Sequence, residues 1–145
     1  MINYQLILNN NMLNVLKDIL IDIKANGLSN GNHLYITFLT NNKGVTVPKW
    51  LKDKFPQKMT IVIQYEYYDL EINKNDFSVT LSFNNIKTKL KINYKAILSF
   101  ADPSSNFGLI IQDKDYQQVG KNLVKKKKNK KKNNVIEFSN YKKLN

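Results

Sequence analysis

A mainly β domain with one N-terminal α-helix, followed by an unstructured tail, is the fold this sequence predicts. Three observations point there. Apolar residues in the first 25 positions recur at helical steps. From His33 the apolar period shortens to two, the signature of strands with one buried face. After Gln112 the composition turns polar and then lysine-rich.

The helix is predicted over roughly residues 3–25, where Leu8, Met12, Val15, Leu16, Ile19, Leu20 and Ile23 follow three- and four-residue steps. Asn26-Gly27 ends it, because both residues tolerate the left-handed backbone that closes helices. The apolar stripe is broad enough to cover a sheet and leave surface for a second copy of the chain. Next comes a strand in which Leu34, Ile36 and Phe38 share a face. Asn41 to Gly44 is a turn, and Pro48 opens a short helical turn over Lys49 to Lys54, as suits a first helical position, with Pro56 as its stop. A long strand is predicted over Met59 to Leu70. Ile61, Ile63, Tyr65 and Tyr67 point one way in it, while Val62, Gln64, Glu66 and Tyr68 point the other. Asn73 to Asp76 turns the chain into a strand with Phe77, Val79, Leu81 and Phe83 on one face, and Asn84-Asn85 is a hairpin turn. Leu90 and Ile92 mark another strand, and Ala96–Ala101 and Phe107–Gln112 two more. Five or six short strands behind one helix make a compact sandwich or a partly open barrel.

Composition narrows the class. The chain has 145 residues, enough for one domain and an appendage, and 42% of them are hydrophobic, so a real core can form. The absence of cysteine excludes disulfides, thiol catalysis and cysteine-ligated zinc, and fits a cytoplasmic protein. No apolar run reaches the ~18 residues of a membrane helix, and no signal peptide is evident. The formal charge is +12, carried by 23 lysines and no arginine. Residues 1–120 hold 13 lysines against 10 acids, a net of +3, and residues 121–145 hold 10 lysines against one acid, a net of +9. The domain is nearly balanced and the tail supplies the basicity. Abundant Lys, Asn and Ile are also what AT-rich codon usage produces.

The tail divides in two. The run Lys125 to Lys132 has no apolar residue and repels itself, so residues 118–134 read as an extended, flexible linker. Hydrophobicity then returns in Val135-Ile136-Glu137-Phe138-Ser139-Asn140-Tyr141-Lys142-Lys143, too short to build a core; it is either a frayed terminus or a linear docking motif.

Several blocks resemble one family in order along the chain. His33-Leu34-Tyr35-Ile36-Thr37-Phe38 is similar to the HLYITF segment of the SspB family, and Met59-Thr60-Ile61-Val62-Ile63-Gln64 to its MTIVLQ strand. Tyr68-Asp69-Leu70, Phe77 to Phe83, Asp102-Pro103-Ser104 and Phe107-Gly108-Leu109 match further blocks, and Val135 to Lys143 resembles the family's tail motif. Glu137, Ser139, Tyr141 and Lys142 depart from that motif but keep its aromatic bulk and terminal charge, and the linker here is polylysine where the family's is often acidic or Pro-rich.

The resemblance implies an SspB-like β-sandwich related to Sm-like barrels, used as a homodimer through the N-terminal helix. It implies a cytoplasmic adaptor that binds the degradation tag (the ssrA tag) added by transfer-messenger RNA, and that tethers tagged proteins to the ClpX N-terminal domain for degradation by ClpXP. Residues 1–117 are then the tag-binding and dimerisation domain, 118–134 the linker, and 135–145 the docking peptide. By that resemblance Gln64 lies in the tag groove. On residues alone it reads first as a solvent-facing strand glutamine. Ala101 and Asp102 are candidates for the rim, and Phe100 and Phe107 for the walls, with core packing as the alternative for both rings. Val135, Ile136, Phe138 and Tyr141 would bury apolar surface on the unfoldase, and Lys142 and Lys143 would meet acidic groups. The 16-residue linker 119–134 has a coil span of roughly 20–24 Å and a stretched limit near ~55 Å, giving an effective concentration of about 1 mM.

Catalysis is not expected. His33 is the sole histidine and opens a strand, the five glycines form no phosphate loop, and no metal-ligand spacing or cofactor motif occurs. The rival reading is a small RNA-binding protein with a β-barrel core and a basic tail, whose polylysine makes nonspecific phosphate contacts.

Overall fold

The computed structural model describes residues 1–29 and 31–111. A 23-residue helix α1 (Tyr4–Asn26) leads into eight strands: β1 (Leu34–Leu39), β2 (Val45–Thr46), β3 (Lys58–Ile63), β4 (Tyr67–Ile72), β5 (Asp76–Phe83), β6 (Ile86–Asn93), β7 (Ile97–Asp102) and β8 (Phe107–Ile110). A short helix α2 (Lys49–Lys54) lies between β2 and β3. The strands form two four-stranded sheets, ordered β3-β1-β7-β8 and β2-β6-β5-β4, with every pairing antiparallel. The sheets are not joined into a closed barrel.

One core lies between them. Ile36, Phe38, Ile61, Ile63 and Phe100 from the first sheet meet Phe77, Val79, Leu81, Leu90 and Ile92 from the second. Each fully buried Ile, Leu or Phe side chain contributes about 1.5–3 kcal/mol relative to exposure. The helix adds Met12, Leu16, Leu20 and Ile23 to the same cluster. Asn3 starts α1 with its side-chain oxygen accepting from the Leu6 amide. Gly27, at φ +76°, stops it by donating its amide to the Ile23 carbonyl. Lys24 pairs with Glu71 at 2.8 Å, holding the helix beside β4.

The predicted strand over Met59–Leu70 is two strands. It breaks at Gln64–Glu66, where β3 ends in the first sheet and β4 begins in the second. Alternation cannot reveal this, since apolar residues keep period two through the bend. Two further differences are local. Pro48 is the residue before α2 rather than its first helical residue. The two-residue β2 goes unsignalled by alternation and depends on Gly44, whose carbonyl accepts from the Asn93 amide; a Cβ there would come within 2.6 Å of the Asn93 side chain. The hairpin at Asn84-Asn85 is as expected, both residues at positive φ.

Candidate functional site

The first sheet has two faces. Inward it supplies the core. On the other face, register places Tyr35 opposite Val62 on one side and opposite Ala101 on the other, with Ala101 in turn opposite Gly108. Directly opposed residues share a face, so these four line up across the sheet. Tyr35 and Ala101 are buried, with Val62 and Ile110 packed against them, in a small cluster separate from the main core. Ala101 and Gly108 carry no bulk, which keeps the surface low beside the Tyr35 ring. Further along the same face the Thr37 and Thr60 hydroxyls are 2.7 Å apart.

Gln64 follows this face. It lies two residues past Val62, in the bend that closes β3, and is half-buried. It sits at the sheet's end, beside the exposed Tyr65. His33, at the start of β1, sets its ring edge-on to Tyr35 at 5.3 Å, with Nδ1 3.0 Å from the Gly31 carbonyl oxygen.

The other residues singled out from sequence take different places. Phe100 points inward and is fully buried, 6.1 Å between ring centroids from Phe107. Asp102 ends β7. Its carboxylate accepts from the Ser104 amide at 3.1 Å and from Asn32 Nδ2 at 2.7 Å, and Asn32 also donates to Ser105 at 3.0 Å. This cluster fastens the β7–β8 turn to the loop after α1. Asp102 and Phe107 line a groove of about 430 Å³ beside the helix, together with Val15, Ile19, Leu28 and Asn32. Gln64 follows β3 and Phe107 opens β8, the two edge strands on opposite sides of this sheet. Ala101 shares a face with the approach to Gln64; Phe100 and Phe107 line the reverse side. The structure thus brings Ala101, Tyr35 and Val62 to one surface, with Gln64 in the bend two residues past Val62, and Asp102, Asn32 and Phe107 to a second. Sequence reasoning missed Tyr35 and Val62, although the alternation around them already set both on the face opposite the core. The expected docking residues Val135, Ile136, Phe138, Tyr141, Lys142 and Lys143, and the expected linker 118–134, lie outside the described residues.

Among the described residues no group of His, Cys, Asp and Glu is arranged to hold a metal ion, and no helix is long and apolar enough to cross a membrane. Away from the candidate site, burial, reinforced by the nearby Asp76 charge, pushes the Tyr94 phenol up to about 12.

The sequence pattern of stringent starvation protein B, SspB, matches residues 7–143. The chain belongs to the SspB family. The match runs from within α1 through every strand of the described residues and takes in residues 118–134 and all but the last two of 135–145. No curated protein matches the chain. SspB is an adaptor family rather than an enzyme family, and membership points to a role in ClpXP proteolysis.

Proposed function

We propose that this protein is a cytoplasmic adaptor that holds the C-terminal ssrA tag of stalled-translation products on its folded domain and delivers them to the ClpX N-terminal domain through its tail. The observation that carries the reading is the family match over residues 7–143, which takes in the domain and the terminal motif together. The geometry supports it. An extended peptide needs a polar group for its backbone and apolar contacts for its side chains. Gln64 supplies the polar group, and the partly exposed Val62 and Ile110, which pack over the buried Tyr35 and Ala101, supply the apolar contacts. Asp102, Phe100 and Phe107 act from the other side of β7 and β8, setting the level and rigidity of that edge. Val135, Ile136, Phe138 and Tyr141 anchor the motor, aided by Lys142 and Lys143, and the linker holds cargo and motor within mutual reach.

The working form is a homodimer. Tyr4, Leu8 and Val15 are exposed on α1, and with the half-buried Ile19 they form a stripe flanking the core-facing residues. Four apolar residues at this spacing suit a helix from a second copy.

Two assays with purified protein test the reading. Full-length chain should bind a fluorescent ssrA peptide and accelerate degradation of a tagged reporter by ClpXP. Removing residues 135–145 should leave peptide binding intact and eliminate the acceleration. Acceleration by the truncated chain would remove the docking role, and absence of peptide binding by the full chain would remove the adaptor reading altogether.

A further inference from the structure

The outward face of the second sheet carries a pattern that tag delivery does not use. On β6, Lys87, Lys89 and Lys91 alternate with the inward Thr88, Leu90 and Ile92. Alternate residues on a strand are about 6.6–6.8 Å apart, so the three ammonium groups form an evenly stepped row. Their cross-strand partners on β5 are Ser82, Thr80 and Ser78 in turn. A solvated strand that uses lysine only for solubility gains from carboxylates placed opposite. Here every lysine is matched with a hydroxyl. The acid near the row is Asp76, 3.7 Å from Lys91 at one end. Glu71, across from Ser78 on β4, is paired with Lys24 of the helix. One strand further, Tyr68 is opposite Thr80 and 37% exposed, with Lys87 Nζ 4.3 Å from its ring centroid.

We infer that this face, Lys87-Lys89-Lys91 with Thr80, Ser82 and Tyr68, is a binding surface for single-stranded nucleic acid. The lysine row follows a phosphodiester backbone, the hydroxyls donate to phosphate oxygens, and Tyr68 offers a ring on which a base stacks. Charge complementarity selects a polyanion, and the exposed aromatic favours a nucleic acid over an acidic peptide, which has no base to stack. With no arginine in the chain, the bidentate reading of guanine is missing, so binding is sequence-tolerant. The surface lies on the sheet opposite the one bearing Tyr35 and Ala101, so nucleic acid and tag peptide occupy separate faces.

The test is fluorescence anisotropy with a 12-nucleotide poly(U) RNA and full-length protein, titrated from 50 to 200 mM KCl. Three proteins are compared: the natural chain, Lys87→Gln/Lys89→Gln/Lys91→Gln, and a chain with the lysines of 125–132 changed to Gln. Losing three phosphate contacts should lower the slope of log K against log salt by about 2 and weaken binding at least ~10-fold at 100 mM. The tail-substituted chain should keep that increment. Tyr68→Ala should weaken binding by roughly fivefold or more, and Tyr68→Phe should restore it. All three lysines are exposed, so the substitutions should leave the thermal unfolding curve in place. Unchanged affinity and slope in the triple variant would assign all binding to the tail and overturn the inference. So would displacement of bound RNA by polyglutamate at equal charge concentration.

Discussion

Tyr35 and Ala101 face each other across β1 and β7 on the side of the first sheet turned away from the main core, and both are buried. Val62 and Ile110 pack against the pair, so this part of the outer face is covered within the chain itself. Gln64, at the end of the neighbouring strand, borders it.

Gln64→Ala should weaken ssrA-peptide binding about 5–10-fold, the loss of one or two backbone hydrogen bonds at 0.5–1.5 kcal/mol each. Since Gln64 lies in a half-exposed bend, the melting temperature should stay within about 2 °C. Peptide anisotropy and thermal unfolding measured on the same samples decide the matter; unaltered affinity takes Gln64 out of the site.

Asp102→Ala removes the acceptor of the Ser104 amide and of Asn32. The expected cost is about 1–2 kcal/mol of stability, read as a lower urea midpoint at unchanged slope. Asn32→Ala should cost less, because Asp102 keeps its bond to the Ser104 amide. Equal costs for the two would show that the turn depends on the link to the helix loop rather than on its own cap.

Leu8→Glu places a charge on the exposed stripe of α1 while sparing the residues that face the core. Sedimentation equilibrium should report a monomer for the variant and, on the proposed assembly, a dimer for the natural chain, with an unaltered circular dichroism spectrum. A variant that keeps the mass of the natural chain would move the dimer interface elsewhere.

Tyr94 carries a pH prediction. Its phenol titrates near 10 when unfolded and is raised to about 12 in the fold, by burial first and by Asp76 second. The folded state thus holds its proton longer. The associated stability is whole below pH 10 and is lost as pH rises from about 10 to about 12. Tyrosinate absorbance should show one residue ionising late, and Tyr94→Phe should abolish that late step. Its persistence in the variant would assign it to another tyrosine.

Much was readable without coordinates. Local rules act on neighbouring residues, so the end of α1 at Asn26-Gly27, the Asn84-Asn85 hairpin and the alternation in β1 and β5 are all visible in the chain. Gln64 was legible only through resemblance, because a polar residue on an outer strand face has many ordinary reasons to be there.

By itself the sequence determined the mainly β class with an N-terminal helix, the family, and the concentration of positive charge in residues 121–145. The tertiary structure alone decided that Ile63 closes one sheet while Tyr67 opens another, that Phe100 faces the core while the adjacent Ala101 faces outward, and that β3, just before Gln64, and β8, which opens at Phe107, are opposite edges of one sheet. The physical reason is range. Propensity and periodicity depend on residues a few positions apart, whereas strand order and pairing register are set by packing between segments tens of residues apart, where one step of register exchanges the two faces of a sheet.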